Sequence, residues 1–293
     1  PPGVVNIITW HGPVCGRELT RHAKVARVAF TGGFSAAAQV IINSAENFAE
    51  VSLELGGKSP FIVFDDANIE SAVNGAVAGI FSASGQSCVA GSRLYLHEDI
   101  ADDFLERMVA IAKALVIGDP QAEETEMGPL CTTGQIAHIE TQVAIAEQEG
   151  GRILCGGKRI PGPGLFFEPT IIECPRQDMT IVDTELFGPV LAVQRFTTEA
   201  EAIELANDTK HGLAAGLFTR DGARQIRMAK KLKSGMVWVN TYRMISPIAE
   251  FGGVKTSGHG REAGLQAMYD YTRAKTIWIN LSDEPIANPF QPR

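Results

Sequence analysis

Short apolar runs with strand composition alternate with longer segments of helical periodicity along most of this 293-residue chain. Residues 25–31 (VARVAFT) have the composition of a strand, Gly32 and Gly33 follow as a turn, and residues 35–48 continue with helical spacing. Strands that alternate with helices are typical of α/β folds, in which most strands of the sheet run parallel. Because 45% of the residues are hydrophobic, the chain can bury a large core, and its length favours more than one domain.

The same alternation continues through the rest of the sequence. Further strands are predicted at residues 51–55, 61–64 and 93–97, with a terminal one at 275–281. Asp66 is predicted to cap a helix, and a second helix is predicted at residues 100–117. Glu54 would then end a strand, at the edge where open α/β sheets bind ligands, and Cys88 would lie in the loop after a helix.

Charge and composition argue against several classes of partner. A net charge of −8 leaves few clustered cations for phosphate, and Lys230, Lys231 and Lys233 fit the solvated face of a helix, so no nucleic-acid partner is expected. No apolar run approaches the ~18 residues of a membrane span, so no membrane partner is expected either. Five cysteines without CxxC spacing predict neither a disulfide framework nor a zinc site, and they favour a reducing, cytoplasmic location. The histidines show no metal-ligand spacing, and no metal is assigned.

Two segments can hold the groups of a covalent catalyst. Glu54 opens the run ELGGKSP, and Cys88 lies among small residues in GQSCVAG. A thiol nucleophile needs steric access, backbone N–H groups for a developing oxyanion and a base that activates water, all of which these segments could provide. Without further context, a lone cysteine is commonly a buried small apolar residue and a lone glutamate an exposed charge at a strand end.

Five motifs in the same order resemble the aldehyde dehydrogenase superfamily. They are ELGGKSP from Glu54, GQSC to Cys88, TELFGPV at residues 184–190, GMVWVN at 235–240, and FGG at 251–253 with Lys255, Ser257-Gly258 and residues 260–262. The resemblance implies an α/β fold with part of a Rossmann-type coenzyme domain and an α/β catalytic domain. It places the end of the coenzyme domain at residues 1–56, the catalytic domain at 57–256, and a return segment with an oligomerisation strand at 257–293.

The resemblance also implies a reaction. In the family, the cysteine that matches Cys88 attacks a small-molecule aldehyde, NAD or NADP accepts a hydride, and the glutamate that matches Glu54 activates the water that releases a carboxylic acid. CoA-acylating branches of the family lack this glutamate, so Glu54 favours hydrolysis. A CoA-acylating enzyme and a non-catalytic binding protein stay as alternatives.

Cofactor contacts are implied for Gly32, Gly33, Leu55, Glu185 and Phe187. Glycines after a strand let the backbone approach a pyrophosphate at a helix N-terminus, although Gly-Gly is also a common tight turn. Gly33 replaces a serine that is usual in the family, so only backbone donation carries over. The resemblance implies that Glu185 binds ribose hydroxyls and that Phe187 lies against the nicotinamide. Without the resemblance, Glu185 would be interpreted as a charged residue at a helix end or turn, and Phe187 as an aromatic residue of the core.

The sequence offers few indications of which residues contact the substrate. Tyr242 and Arg243 follow GMVWVN directly and are candidate substrate residues. Arg243 would favour a substrate with a second carboxylate, unless it is simply an exposed arginine. Lys58 and Ser59 are expected to solvate the turn before the next strand.

The first residues, PPGVVN, resemble a stretch inside the family's coenzyme domain, so we expect a chain without the N-terminal portion. In the family that portion supplies an asparagine of the oxyanion hole and a lysine near the adenosine ribose. The choice between NAD and NADP therefore stays open, and the isolated chain is expected to be weakly active. Residues 275–281 resemble the family's strand that pairs across subunits, which predicts a homodimer or homotetramer.

Overall fold

The computed structural model describes residues 1–290, which form two β-sheets flanked by helices. Within this range the strands are β1 (Arg27–Gly32), β2 (Glu50–Leu55), β3 (Pro60–Val63), β4 (Arg93–His97), β5 (Arg152–Cys155), β6 (Thr170–Glu173), β7 (Val190–Phe196), β8 (Ala214–Phe218), β9 (Met236–Val239) and β10 (Gly258–His259). The α-helices of the same range are α1 (Arg17–Thr20), α2 (Phe34–Ser44), α3 (Ile69–Phe81), α4 (Glu98–Ala114), α5 (Thr133–Gln148), α6 (Thr180–Asp183), α7 (Glu199–Asn207), α8 (Gly222–Lys231) and α9 (Gly264–Asp270). Single turns of other helix types lie at Gly12–Gly16, Ser82–Gly85 and Lys255–Ser257.

The larger sheet has seven strands in the order β5-β6-β7-β4-β3-β8-β9. All neighbours in it run parallel except β5 and β6. The interior strand β3 is buried on both faces, because Phe61 and Val63 pack toward α3 and α4 while Ile62 packs toward α7 and α8. The prediction of an α/β fold with a mostly parallel sheet is thereby confirmed.

The smaller sheet contains β1, β2 and β10. β1 and β2 run parallel, and β10 returns from the far end of the chain to pair antiparallel with β2, with Gly258 opposite Glu54. Helix α2 packs on this sheet through Ala37, which contacts Leu53 and Leu55. The division of the chain at residues 57 and 257 into domains stays a prediction.

Helix α3 begins at a different cap from the one that the sequence predicts. Asn68, not Asp66, accepts the hydrogen bond from the Ser71 N–H at the start of the helix. The Asp66 carboxylate accepts hydrogen bonds from the Thr219 hydroxyl at 2.8 Å and the Asp221 N–H at 2.9 Å. The prediction was wrong because the Asp66 carboxylate, two residues before Asn68, accepts hydrogen bonds from Thr219 and Asp221 instead of from the first turn of α3.

The terminal strand predicted at residues 275–281 does not pair within the described residues. Its apolar side chains face solvent, and Trp278 is 92% exposed. A strand needs a neighbour for its backbone groups, and residues 1–290 offer none at this place. Pairing with another subunit therefore stays a prediction. Among the described residues, the structure has no helix that combines the length and the hydropathy needed to traverse a bilayer.

Candidate active site

Cys88 lies in a loop that follows α3 and the single turn Ser82–Gly85. Gly85 adopts φ +71°, and a Cβ at this position would lie 2.1 Å from the carbonyl oxygen of Gly188, so the loop needs a glycine here. Beyond the cysteine, the Val89 carbonyl accepts a 2.9 Å hydrogen bond from the Tyr242 hydroxyl. The loop is thus fixed on both sides of the thiol, which is partly buried.

The groups around Cys88 shift the pKa of its thiol in opposite directions. Burial raises the pKa of the Cys88 thiol, and the negative charges of Glu185 and Glu54 raise it further. The backbone N–H groups of Cys88 and Val89 lower this pKa, because both donate toward the sulfur. Two N–H groups that stabilise negative charge beside a thiol are the arrangement that an oxyanion requires when a carbonyl is attacked there.

Glu54, near the C-terminal end of β2, is a buried carboxylate without a hydrogen-bond partner. Its side chain is 4% exposed, and neither oxygen receives a hydrogen bond from the described residues. Burial, and next the Glu262 charge, raise the pKa of Glu54 to about 8, while Arg261 opposes the shift. The side chain fills space left by Gly252, whose Cβ would lie 2.7 Å from Oε1. Glu54 is therefore mostly protonated near neutral pH and becomes a base as the pH rises.

The segment Gly56-Gly57 brings the predicted residues together. A Cβ on Gly57 would lie 2.8 Å from the carbonyl oxygen of Cys88. The Gly57 N–H donates a 3.1 Å hydrogen bond to Oε1 of Glu185, and a Cβ on Gly56 would lie 1.8 Å from Oε2. Gly57, Cys88 and Glu185, which are far apart in the sequence, thus meet directly after the strand that carries Glu54, and their roles stay predictions.

The remaining predicted cofactor residues lie at three different places. Gly32 ends β1, and Gly33 caps α2 without a side-chain hydrogen bond, in open space where a Cβ would meet nothing within 4 Å. Phe187 has φ +50° and a ring that is 41% exposed. The side chain of Leu55 is buried under α2, so only its main-chain groups are available to a ligand. The cofactor roles of these residues stay predictions.

Lys58 is placed differently from the prediction. Its side chain is 1% exposed and its Nζ has no acceptor among the described residues, so the expectation that it solvates a turn was wrong. Ser59 is buried as well. The sequence did contain a signal, because Lys58 lies two residues before the continuous apolar run of β3, and such runs are buried on both faces.

Other positioning contacts also escaped the sequence analysis. Ser257 joins the two sheets, since its hydroxyl donates to the Gly56 carbonyl at 2.7 Å and accepts from the Gly212 N–H at 2.9 Å. The Gln135 amide donates to the carbonyl of Phe187 at 3.3 Å, beside the predicted nicotinamide position. Each contact joins segments more than forty residues apart, for which local sequence patterns carry no signal.

Tyr242 and Arg243 lie at the other side of the Cys88 loop. The Tyr242 ring packs against Trp238 and Phe61. Arg243 donates to the carbonyl oxygens of Ala78 and Ser82 at 3.3 and 3.5 Å, and within residues 1–290 it forms no ion pair with a carboxylate. Both line a cavity of about 450 Å³ beside α3. Their roles toward a substrate stay predictions.

One group of potential metal ligands occurs in the part of the chain that the structure describes. Ligand atoms of Asp65, His97 and Asp99 lie within 4.8 Å of one another. His97 Nδ1 already accepts a hydrogen bond from the Asp99 N–H, and Arg224 lies 3.8 Å from Asp65. The group therefore serves capping and ion pairing in this structure, and the absence of a metal from the protein's chemistry stays a prediction.

Comparison with known proteins gives consistent results. Residues 1–277 match the sequence profile of the aldehyde dehydrogenase family. A (Z)-2-((N-methylformamido)methylene)-5-hydroxybutyrolactone dehydrogenase of Acinetobacter baylyi is 52% identical over 291 residues, which are 99% of this chain and 60% of that protein. A betaine aldehyde dehydrogenase of Cereibacter sphaeroides is 41% identical over 290 residues, 99% of this chain and 59% of that protein. The chain thus spans about 60% of the length of these relatives.

Solved structures agree with the sequence relatives. PnpE from Pseudomonas sp., in complex with nicotinamide adenine dinucleotide, has a TM-score of 0.92 and 44% identity, covering 96% of this chain and 58% of that one. Betaine aldehyde dehydrogenase from Staphylococcus aureus, in complex with NAD+, has a TM-score of 0.87 and 41% identity, covering 90% and 53%. With the five motifs in order, a family match over residues 1–277 and this structural agreement, the chain belongs to the aldehyde dehydrogenase family.

Proposed function

We propose that the protein oxidises an aldehyde to a carboxylic acid with NAD or NADP, and that this chain supplies the nucleophile Cys88 and the base Glu54. The observation that carries the proposal is the environment of the thiol. The backbone N–H groups of Cys88 and Val89 lower the pKa of the Cys88 thiol, and the negative charges of Glu185 and Glu54 raise it. Donors for an oxyanion and a carboxylate that activates water are the groups that acylation and hydrolysis at a thiol require.

The residues present fit the nicotinamide end of such a cofactor. The space over Gly56 is occupied by the carboxylate of Glu185, a suitable partner for a ribose diol, and the exposed ring of Phe187 offers a flat apolar face nearby. The first turn of α2, after Gly33, offers backbone N–H groups without a side-chain cap, which suits a phosphate. Leu55 contributes main-chain groups, and Gly32 ends β1 directly before Gly33. When bound, the cofactor supplies an acceptor for the hydride of the substrate.

The residues of the chain act on the substrate in order. Cys88 loses its proton to solvent, and its sulfur forms a bond to the carbonyl carbon of the aldehyde. The Cys88 N–H stabilises the resulting oxyanion, together with the asparagine that the family supplies from outside these residues. Once the hydride has left, the acyl group is held as a thioester. Glu54 in its ionised form takes a proton from water as the water oxygen bonds to the acyl carbon, the C–S bond breaks, and the acid leaves.

Ester hydrolysis by the full-length protein tests this proposal. An activated nitrophenyl ester requires the nucleophile and no hydride transfer, so the wild-type protein should hydrolyse it and Cys88→Ala should lose at least about 10³-fold in rate. Cys131→Ala is the matched control, since Cys131 is exposed and is not part of the site, and it should keep the wild-type rate.

Two outcomes would favour the alternatives. If the wild-type protein shows neither ester hydrolysis nor selective alkylation of Cys88, a non-catalytic binding role replaces the proposal. If aldehyde, cofactor and CoA together give acyl-CoA, and Glu54→Gln leaves that rate unchanged, the protein is a CoA-acylating enzyme. Glu54 supports hydrolysis over transfer to CoA, because a thioester hydrolyses quickly only where a base activates water.

We also propose that the protein works as a homodimer or homotetramer in a reducing, cytoplasmic compartment. The exposed apolar residues of the segment 275–281 support assembly, since such a strand is soluble only when another sheet pairs with it. All five cysteines are free, which supports a reducing compartment. Tyr242 and Arg243 remain the proposed substrate residues, because they line the cavity beside α3 and the Tyr242 hydroxyl donates to the Val89 carbonyl, next to Cys88.

A further inference from the structure

His211 is a buried histidine that the proposed mechanism does not use. It lies in the loop 208–213 between α7 and β8 and is 2% exposed. Its Nε2 lies 3.2 Å from the carbonyl oxygen of Asp183, and because a carbonyl can only accept, Nε2 carries the proton and donates. Burial lowers the pKa of His211 to about 4, so the ring is neutral near neutral pH. His211 is therefore a neutral hydrogen-bond donor in the interior of the protein.

The second ring nitrogen indicates that stability alone does not explain this histidine. A neutral ring that donates through Nε2 has an acceptor at Nδ1, and the Nδ1 of His211 has no partner among the described residues. A buried acceptor without a donor destabilises a fold. A phenylalanine ring would occupy much the same space without this cost, but it has no N–H group. The bond to Asp183 is thus the property that requires a histidine here.

Asp183 belongs to the segment that carries Glu185. It ends α6, and Glu185 follows two positions later with its carboxylate in the space over Gly56. The loop before β8 holds Asp183 at two points, because the Thr209 hydroxyl donates to its carboxylate at 2.5 Å and His211 donates to its carbonyl. The Thr209 hydroxyl in turn accepts a 3.2 Å hydrogen bond from the backbone N–H of His211. The segment before Glu185 is therefore fixed to this loop by direct hydrogen bonds.

The ring of His211 also contacts α2. Its centroid lies 5.3 Å from that of Phe34, the first residue of the helix, and the two ring planes are tilted by 41°. Aromatic rings attract each other at such separations. Phe34 directly follows Gly33, where the helix begins without a side-chain cap. A loop of the larger sheet thus touches the first turn of a helix that packs on the smaller sheet.

We propose that His211 is a positioning residue of the cofactor site, which fixes the segment of Glu185 relative to the first turn of α2. The inference rests on the proposed function, in which Glu185 binds the ribose and the turn after Gly33 binds a phosphate. One side chain contacts both parts, because its N–H donates to Asp183 and its ring packs against Phe34. When two binding points move independently, a dinucleotide loses affinity and its nicotinamide loses a fixed orientation.

Binding of NADH, or NADPH if the protein prefers it, to the full-length protein tests the proposal. His211→Phe keeps a ring against Phe34 but removes the donor, so the affinity should fall by about fivefold, the equivalent of one hydrogen bond. His211→Gln keeps an amide N–H as donor but removes the ring, and a similar fall is expected. Phe34→Leu removes the same ring contact, so combining it with His211→Gln should add little to the loss.

The fluorescence of bound NADH separates positioning from a structural role. At saturation, the nicotinamide should be less immobilised in His211→Phe, and its fluorescence anisotropy should be lower than in the wild type. A variant that is merely less stable would have fewer folded sites, and each of them would give the wild-type signal. His22→Phe is the matched control: it changes an exposed histidine in the loop before β1 and should alter neither the affinity nor the anisotropy.

The outcomes that contradict the proposal are distinct. Wild-type affinity in folded His211→Phe would overturn it, and a loss of affinity with wild-type anisotropy would assign His211 a structural role instead. Additive losses in the double variant would show that the contact with Phe34 is not shared. Should His211→Phe not fold, wild-type affinity in both His211→Gln and Phe34→Leu would overturn the proposal equally. If the proposed function itself fails, the wild type binds neither NADH nor NADPH and lacks ester hydrolysis.

Discussion

At Glu54, stability and chemistry impose opposite requirements. The folded protein raises the pKa of this carboxyl from 4.5 to about 8, so the folded state binds the proton more tightly than the unfolded state does. Between those two pH values the unfolded chain releases the proton first, and stability falls as the pH rises. The ionised form that activates water is therefore the one that the fold disfavours, by an amount on the order of a few kcal/mol at full ionisation.

Glu54→Gln should reverse this stability effect. The amide resembles the protonated acid in size and carries no charge, so the variant should match the wild type near about pH 5 and be more stable above about pH 8. Urea unfolding of the full-length protein at both pH values measures the difference. Glu204→Gln, an exposed glutamate on α7, serves as the control and should change neither value. A wild-type-like loss of stability with pH in Glu54→Gln would contradict the assignment of the shift to this carboxyl.

The same substitution should separate the two chemical steps. Acyl transfer to Cys88 does not need Glu54, so a first burst of reduced cofactor should remain in Glu54→Gln. Steady-state turnover should fall by about 10² to 10⁴-fold, the usual contribution of a general base. Wild-type turnover should rise through an apparent pKa of about 8 if acid release is limiting. Stopped-flow measurements across the pH range test both expectations, and loss of the burst itself would assign Glu54 to an earlier step.

At single residues, motifs with a chemical requirement predict roles for Cys88, Glu54 and Glu185. The fold brings Cys88 and Glu185 to Gly56-Gly57, directly after the strand that carries Glu54, and the roles themselves stay predictions. The prediction for Lys58 was wrong, because a lysine in a glycine-rich turn is usually exposed and its burial depends on strands that arrive from elsewhere in the chain.

At the scale of elements, the loop between α3 and Cys88 is the most constrained. Gly85→Ala should be destabilising, since a left-handed backbone costs about 1 kcal/mol or more with a side chain and the Cβ would collide with the Gly188 carbonyl. This collision should also displace the loop and its thiol. The rate of ester hydrolysis should then fall by about 10²-fold, the usual effect of a displacement near 1 Å. Thermal unfolding and ester hydrolysis measure the two effects.

Gly134→Ala is the matched control for that loop. Gly134 lies in the first turn of α5, and a Cβ there would meet nothing within 4 Å. Alanine should be neutral there or stabilise the helix by up to about 1 kcal/mol. If both alanine variants behave alike, the contact between Gly85 and the Gly188 backbone does not constrain the loop.

Element types were more predictable than element ends. The strand at 93–97 was predicted with its bounds, because its apolar run follows a stretch of small residues that marks a loop. The helix predicted at 100–117 runs from Glu98 to Ala114, since His97 provides its cap. Capping depends on which donors and acceptors are left free by the tertiary structure, as the different partners of Asp66 and Asn68 illustrate.

At the scale of the whole molecule, the sequence predicts the layers but not how they meet. Periodicity indicates parallel strands and covering helices, and the structure has them. The junction depends on β10 and on Ser257, whose hydroxyl bonds both Gly56 and Gly212. These contacts join segments up to 201 positions apart, and loop closure over such distances leaves no local periodicity to read.

The segment 275–281 carries the prediction about assembly. Its residues Ile277, Trp278 and Ile279 are exposed in a single chain, and burying them against a second sheet would remove a large apolar area from water. Deleting residues 275–293 from the full-length protein should therefore convert the assembly to monomers in light scattering. Deleting only residues 284–293 is the control and should preserve the assembly, because the apolar strand remains. Monomers in both cases would assign assembly to the polar tail, and assembly without residues 275–293 would show that another surface joins the subunits.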